Sequence, residues 1–247
     1  MNQAVIVTGA LGGIGRALCE EFYSHGFRVI ALDKADGNVS AHLNIKTDIR
    51  NLVKDKQKLA ELQNHISLFL NTHKINLKGL INNAAVQILA STKKLTVADW
   101  EETIETNLLA PFILSKTFLD ELELAKGSII NISSIHEKLT KPSFVAYATS
   151  KSALSGLTRA MAVDLAGKVR VNAICPAAIG TSMLVSSFEK DADGLAVLGK
   201  VHPSGRIGMP EEVAQLARYL VCDSPEFLNG SCLGLDGGIA GRLHDPD

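Results

Sequence analysis

The chain has 247 residues, of which 46% are hydrophobic and 21% are charged, and its formal net charge at pH 7 is -1. A net charge this close to zero gives no basis for binding to nucleic acid or to an anionic membrane surface, and no segment reaches the ~20 consecutive apolar residues of a membrane span. No linker rich in proline, glycine or serine divides the sequence, so we expect one soluble α/β domain over residues 1–247.

The four cysteines lack the spacing of a metal site, and each falls within an apolar helix or strand pattern: Cys19, Cys175, Cys222 and Cys232. We therefore expect buried free thiols in a reducing compartment, which favours the cytoplasm. The first strand is predicted at residues 4–7, so we expect no signal peptide. His136-Glu137 begins like a zinc-binding His-Glu-x-x-His motif, but position 140 is threonine, and we expect no metal.

A glycine-rich turn follows the first strand and opens into a helix near Arg16. Glycines allow the backbone to approach a pyrophosphate closely, and a helix N-terminus offers free N–H groups to the anion. The order of strand, turn and helix therefore indicates a dinucleotide site, and a glycine turn without a ligand is the plain alternative. The glycines of this turn are Gly9, Gly12, Gly13 and Gly15.

The second predicted strand, residues 27–32, ends at Asp33, 18 residues beyond Gly15. A carboxylate at this place can accept hydrogen bonds from both adenosine ribose hydroxyls and repel a 2'-phosphate, which favours NAD over NADP. Lys34 could partly offset that repulsion. An ordinary turn aspartate is the alternative.

Further strands are predicted near residues 41–47, at residues 80–81 and at residues 127–132, with helices between them. One of those helices is expected from about Asn51 to Leu70. This alternation predicts a parallel sheet with right-handed crossovers, whose ligand lies along the carboxyl ends of the strands. Two groups of residues follow strands and are expected at that edge: Asp48 with Ile49, and Asn82 to Ala85.

Thr96 and Asp99 resemble a capping box, which predicts a helix running to about Glu123. Within it, Asn107 precedes Pro111 by four residues. Since proline has no N–H, the Asn107 carbonyl loses its helical partner and is free to hold a water molecule. A polar residue tolerated at a kink is the alternative.

Tyr147 and Lys151 lie four residues apart in a predicted helix, so they share one face. Lowering the pKa of a tyrosine from ~10 to ~7 requires about 4 kcal/mol of preference for the phenolate. A lysine cation within ~4 Å supplies roughly that much at an effective dielectric of about 20. The pair can therefore act as a general acid or base, although an ordinary surface helix pair has the same spacing.

Taken in order, these motifs resemble the NAD(P)-dependent short-chain dehydrogenase/reductase family. The similarity runs from Val5 to about Gly238 and rests on the following stretches: Thr8-Gly9-x-x-x-Gly13-Ile14-Gly15, Asn82-Asn83-Ala84, Asn107, Ser134, Tyr147-x-x-x-Lys151 and Val171-Asn172-Ala173-Ile174-Cys175-Pro176. The resemblance implies a Rossmann fold with a doubly wound, seven-stranded parallel sheet and helices on both faces.

The resemblance also implies roles for single residues. Tyr147 is expected to be the acid/base, Lys151 to lower its pKa and hold the nicotinamide ribose, Ser134 to polarise the substrate oxygen, and Asn107 to hold a relay water. The cofactor would also contact residues from several loops: Gly9, Leu11, Gly13, Ile14, Gly15, Asp33, Asp48, Ile49, Asn83, Ala84, Pro176, Ile179 and Thr181.

Two positions depart from the family pattern, because Ala85 and Ala177 stand where glycine is usual. Alanine is costly there only if the backbone needs positive φ. Residues 182–204 match the family's substrate lid. The last helix, starting near Pro210, and the last strand form subunit contacts in the family, so a dimer or tetramer is expected.

The sequence therefore predicts an oxidoreductase that moves a hydride between NAD(H) and a secondary alcohol or carbonyl. The alternatives are a carbonyl reductase for a hydrophobic ketone, a non-catalytic NAD sensor or scaffold on the same fold, and an epimerase or dehydratase on that fold. Ser134-x-His136-Glu137 resembles bacterial glucose dehydrogenases, while Gln87 and His136 resemble residues that grip the carboxylate in hydroxybutyrate dehydrogenases, although Phe144 replaces their lysine. A small polar substrate such as a sugar, polyol or hydroxy acid is expected, unless His136 merely packs beside the serine and Gln87 caps its own loop.

Overall fold

A computed structural model describes residues 2–186, 188 and 193–243. Its seven strands form one parallel sheet in the order β3-β2-β1-β4-β5-β6-β7, as the resemblance implies. The strands are β1 Gln3–Thr8, β2 Arg28–Asp33, β3 Leu43–Lys46, β4 Asn76–Asn82, β5 Ser128–Ile132, β6 Arg170–Pro176 and β7 Cys232–Leu235.

The helices that alternate with these strands are α1 Gly13–Ser24, α2 Ile49–Lys54, α3 Lys56–His73, α4 Val97–Ile104, α5 Ala110–Thr117, α6 Leu119–Leu124, α7 Val145–Asp164, α8 Ser182–Ser186, α9 Gly194–Val201 and α10 Pro210–Cys222. A π-helical turn, Glu105–Leu109, joins α4 to α5, and a short 3-10 turn, Ile135–Glu137, follows β5. Within the described ranges, none of the helices combines the length and apolar character needed to cross a membrane.

Two hydrophobic clusters cover the two faces of the sheet. Successive strand residues serve opposite clusters because side chains alternate along a strand: Ile6 packs with α3, α5 and α6, whereas Val7 packs with α1 and α10. Both side chains are fully buried. Burying a side chain of this size contributes ~1.5–3 kcal/mol, so the sheet is held from both sides and its carboxyl edge has a fixed shape.

The helix expected over residues 51–70 is wrong as a continuous element. It breaks at Asp55, whose carboxylate accepts hydrogen bonds from the backbone N–H groups of Gln57 and Lys58 and so caps α3. A capping carboxylate at this position satisfies N–H groups that a helix start leaves free.

The helix expected from Thr96 to Glu123 is also divided. Its capping box is present, because Thr96 and Asp99 exchange side-chain-to-backbone hydrogen bonds. The α-helix then widens into the π turn before Pro111, and a further break at Phe118 separates α5 from α6. The π turn accommodates the missing proline N–H with one wider turn instead of a sharp kink.

Candidate functional site

A cavity of about 970 Å³ lies along the carboxyl edge of the sheet and is lined by the loops that follow β1 to β6. We call the end with the glycine turn, Asp33 and Asp48 the cofactor end, and the end with Ser134 and Tyr147 the catalytic end, after the roles predicted for these residues. This is the edge at which parallel α/β sheets bind their ligands. The structure therefore places the predicted cofactor residues and Ser134, Tyr147 and Lys151 around one continuous space, whereas the predicted catalytic residue Asn107 is buried and does not line it.

The glycine turn is close-packed backbone. Gly9 has φ +63°, and a β-carbon on Gly15 would lie 2.0 Å from the Gly9 carbonyl oxygen, so neither position readily accepts a side chain. Gly12 caps α1 and, as a glycine, has no side chain that could accept hydrogen bonds from the first N–H groups of the helix. The first N–H groups of α1, including those of Gly13 and Ile14, are thus positioned to receive an anion.

Thr8 and Asn83 join the glycine turn to the loop after β4. The Thr8 hydroxyl oxygen accepts hydrogen bonds from the backbone N–H groups of Asn83 and Ala84, both at 3.0 Å. The Asn83 side-chain amide donates to the Thr8 carbonyl oxygen at 2.9 Å and to that of Gly9 at 3.1 Å. Asn83 and Ala84 therefore fix the shape of the turn as well as lining the cavity.

The Asp33 carboxylate lies at the end of β2, where its two oxygens accept hydrogen bonds from the backbone N–H groups of Leu11 and Ala35, each at 2.9 Å. Each carboxylate oxygen keeps a further lone pair that can accept from a ribose hydroxyl. Lys34 lines the same end of the cavity. Asp48 caps α2 through the Arg50 N–H at 3.0 Å, which sets Ile49 against the cavity wall.

The Asn107 side chain is buried in the π turn and holds the loop that begins after β4. Its amide oxygen accepts from the Val86 N–H at 2.8 Å, and its amide nitrogen donates to the Val86 carbonyl at 2.9 Å and to the Ser150 hydroxyl at 3.0 Å. The sequence pointed only to the Asn107 carbonyl. The Asn107 side chain holds the loop after β4 in place. The spacing between Asn107 and Pro111 did not indicate this structural role.

Ser134, Tyr147 and Lys151 meet beside the end of β5. The Ser134 hydroxyl accepts a hydrogen bond from the His136 N–H at 3.2 Å and lies near the Tyr147 phenol. The Lys151 ammonium donates to the Ile132 carbonyl at 2.7 Å and lies 5.7 Å from the centroid of the Tyr147 ring. These three residues come from the β5 loop and from one face of α7, as the spacing predicts.

The pKa values at this site are governed by burial. Burial raises the pKa of the Tyr147 phenol, and the nearby Ser134 hydroxyl opposes that increase. Burial also lowers the pKa of Lys151 to about 8, because the ammonium loses its hydration. In the protein alone the pKa of Tyr147 is therefore raised, whereas its spacing to Lys151 predicted a lowered pKa.

His136 sits in an aromatic cluster at the catalytic end. Its ring stacks on Phe144 with centroids 4.3 Å apart and an interplanar angle of 5°, and it meets the edge of Tyr147 at 5.7 Å. Its Nδ1 is 3.1 Å from the Thr140 hydroxyl. Burial, followed by the nearby Lys141 ammonium, lowers the pKa of His136 to about 4, so the imidazole is neutral at pH 7.

Gln87 is exposed. It lines the cavity together with Pro176, Ile179 and Thr181. The predicted lid, residues 182–204, contains α8 and α9, but its residues 187 and 189–192 lie outside the described part of the chain. Near the end of the predicted lid, the Nδ1 of buried His202 donates a hydrogen bond to the Leu198 carbonyl at 2.8 Å. The Nε2 of His202 has no partner among the described residues.

Sequence reasoning missed several residues of the catalytic end, namely Leu89, Leu139, Thr140, Lys141 and His202. They come from irregular loops that carry no periodic signal. Only the closeness of residues 139–141 to Ser134 and Tyr147 in the chain could have suggested them.

Comparison with known proteins gives a consistent result. A sequence model described as short chain dehydrogenase matches residues 3–192. The chain is 28% identical to 3beta-hydroxysteroid dehydrogenase 1 of Eggerthella lenta, over 96% of this chain and 94% of that protein, and 30% identical to glucose 1-dehydrogenase 2 of Bacillus subtilis, over 96% and 95%. The ligand-free aldohexose dehydrogenase of Thermoplasma acidophilum superimposes with a TM-score of 0.91 at 31% identity, covering 99% of this chain and 96% of that one.

Proposed function

The chain belongs to the short-chain dehydrogenase family of oxidoreductases, and on that premise we propose that it transfers a hydride between NAD(H) and a secondary alcohol or carbonyl on a small polar substrate. The observation that carries this proposal is the meeting of Ser134, Tyr147 and Lys151 in the same cavity as the glycine turn. A glycine turn alone would serve a sensor equally well. Only catalysis requires a hydroxyl, a phenol and an ammonium together at the catalytic end of that cavity.

The residues present suit a dinucleotide. The close-packed glycines and the free N–H groups at the start of α1 would hold the pyrophosphate, and Asp33 would hold the adenosine ribose. When bound, NAD supplies the redox chemistry by accepting or returning the hydride. The protein supplies orientation and charge.

Tyr147 is proposed to take the hydroxyl proton during alcohol oxidation and to return it during carbonyl reduction. Ser134, whose hydroxyl oxygen accepts from the His136 N–H at 3.2 Å, would donate a hydrogen bond to the substrate oxygen. Burial raises the pKa of the phenol, so action near neutral pH requires positive charge beside it. The buried Lys151 ammonium is the protein group that can provide this charge, and the Asn107 carbonyl is proposed to hold the relay water.

Asp33 is proposed to make NAD the better cofactor by at least about tenfold in kcat/KM, or ~1.4 kcal/mol. We expect Asp33→Asn to reduce this preference, because the amide keeps the shape of the carboxylate but loses the charge that repels a 2'-phosphate. The measurement is kcat/KM with NAD and with NADP for both proteins. Asp36→Asn is a matched control, since Asp36 is exposed and pairs with Lys46. Equal kcat/KM values for the wild type would contradict the proposal and implicate Lys34.

The substrate is proposed to be a sugar, polyol or hydroxy acid, because Gln87 and His136 bring hydrogen-bonding groups to the catalytic end. The first experiment is a screen of sugars, polyols, hydroxy acids and steroids for NADH formation. Absence of NADH-linked turnover across the screen would favour the sensor or scaffold alternative.

With the best polar substrate, His136→Ala and Gln87→Leu are each expected to raise KM by ~3–10-fold, which corresponds to the loss of one hydrogen bond. Steady-state kinetics of both variants provide the measurement. Gln57→Leu serves as a control, because Gln57 lies on the exposed face of α3. An unchanged KM for both site variants would refute these contacts.

A hydrophobic ketone is the second candidate substrate. Apolar side chains share the catalytic end with the polar ones, notably Leu89, Leu139 and Phe144, and one relative is named for a hydroxysteroid. A clear preference for steroids or apolar ketones in the screen would select this candidate.

Self-association is proposed through the side of the molecule formed by α10 and β7. Strand β7 lies at the edge of the sheet, Phe227 is fully exposed and Tyr219 is 42% exposed. Apolar side chains exposed beside a strand edge are typical of interfaces. Sedimentation velocity should give a dimer or tetramer, and a monomer at micromolar concentration would contradict this.

The cytoplasm is the proposed location, because the four cysteines are free thiols in the structure. Cell fractionation tests this, and recovery outside the cytoplasmic fraction would refute it.

A further inference from the structure

The acidic side chains of the cavity are confined to its cofactor end. Among the described lining residues they are Asp33, Asp48 and Glu102. Glu137 follows His136 in sequence but does not line the cavity; its carboxylate is buried and lies 3.3 Å from the Lys138 ammonium. The described part of the catalytic end therefore contains no carboxylate that could neutralise a cation.

Lys141 brings a cation to that end. Its ammonium lies 4.9 Å from the centroid of the Phe144 ring, and it has no ion pair or hydrogen bond within the described ranges. The neighbouring imidazole of His136 is neutral at pH 7. Near the mouth of the cavity, the positive charge of Lys141 is thus left without a counterion.

Apolar side chains also line the catalytic end of the cavity. The Phe144 ring, 7% exposed, contacts both the Lys141 ammonium and Tyr147, with the two aromatic ring centroids 6.0 Å apart. Leu89 and Leu139 also line the cavity, and 53% and 47% of their surfaces are exposed. The Ala90 N–H donates to the Ser143 carbonyl at 3.0 Å, which holds the loop of Leu89 against the segment of Phe144.

We propose that the substrate is a hydroxy acid whose carboxylate pairs with Lys141, whose hydrocarbon chain lies across Leu139 and Leu89, and whose secondary alcohol reaches Tyr147. This inference rests on the proposed function and selects one of its three substrate classes. It also accounts for the apolar wall, which a sugar or polyol would leave uncovered.

The arrangement sets the spacing within the substrate. Among the described ring contacts, the Lys141 ammonium meets Phe144 and not Tyr147, so the proposed substrate carries its carboxylate several carbons away from the carbon that reacts. A long hydroxy acid is therefore expected to be a better substrate than lactate, whose carboxylate is bonded to the reacting carbon.

Binding of unreactive probes tests the charge requirement without turnover. With NADH present, octanoate is expected to bind the wild-type protein at least about tenfold more tightly than octanamide, a difference of ~1.4 kcal/mol. Calorimetry or NADH fluorescence gives both dissociation constants. In Lys141→Gln, the affinity for octanoate should fall to that for octanamide. Lys138→Gln is the matched control, because Lys138 is also exposed but pairs with Glu137 outside the cavity.

Equal affinities of the wild-type protein for the two probes would overturn the inference. So would an equal loss of octanoate affinity in the Lys141 and Lys138 variants, because the effect would then be general surface charge. Both variants alter exposed side chains, and matching circular dichroism spectra would establish that they fold alike.

Turnover separates failure of this inference from failure of the proposed function. Using 7-hydroxyoctanoate and its methyl ester, kcat/KM should be higher for the acid, and Lys141→Gln should remove that advantage through KM. NADH formation that is as fast with the ester as with the acid overturns the inference while supporting the dehydrogenase. Charge-dependent binding of octanoate without turnover of any alcohol supports the anion site and refutes the dehydrogenase.

Discussion

Tyr147→Phe is expected to lower kcat by about 10³-fold, within the range for loss of a general acid or base, while NADH still binds. The phenyl ring can keep its edge contacts with His136 and Phe144, so the aromatic cluster should remain in place. The hydroxyl, however, is the only group proposed to exchange a proton with the substrate. The measurements are kcat by NADH absorbance and the NADH dissociation constant by fluorescence.

Tyr219→Phe is the control for this change, since its ring is partly exposed on α10 and lies outside the cavity. It should retain wild-type kcat. A Tyr147→Phe variant with a rate near wild type would refute the acid/base assignment.

Gly15→Ala is expected to destabilise the protein and to disable cofactor binding. Its β-carbon would stand 2.0 Å from the Gly9 carbonyl oxygen and 2.8 Å from the α-carbon of Ala10. Since both obstacles are backbone, the turn itself must move, at a cost of ~1–3 kcal/mol for overpacking. We expect a lower Tm and at least about a tenfold weaker affinity for NADH, measured by thermal unfolding and fluorescence titration.

Gly12→Ala provides the matched control for stability within the same turn. Gly12 has φ -69°, and its added β-carbon would lie 3.4 Å from the Gly9 oxygen, an ordinary contact. Its Tm should therefore stay near that of the wild type. If Gly15→Ala unfolds at the wild-type temperature and binds NADH normally, the close packing of the turn is not required for either property.

The sequence predicted well the features that short-range patterns determine. Apolar runs located strands β1 to β5, and the order of strand, glycine turn and helix placed the predicted cofactor end at the carboxyl edge. The four-residue spacing of Tyr147 and Lys151 placed both on the same helix. In each case the pattern and the structure share one cause, namely the periodicity of a helix or strand.

Features that depend on distant contacts were missed. At Asp55 the carboxylate takes the first N–H groups of α3. Around Asn107 the π turn accommodates the missing N–H of Pro111, and the Asn107 side chain binds Val86 and Ser150 on other elements. Lys141 and Leu139 lie in an irregular loop, where no period relates sequence to orientation. The substrate end was therefore less predictable than the cofactor end.

The clamp of Asn107 on Val86 has a consequence for protein engineering. Up to Val86, the loop after β4 is tied to Thr8 and to Asn107 through its backbone, so changes in its length would disturb the cofactor turn. From Gln87 onward it leaves that framework and borders the mouth of the cavity. A library that varies residues 87–89 can thus alter substrate choice while the cofactor turn is left intact, so this short segment is a natural place to begin redesigning the enzyme.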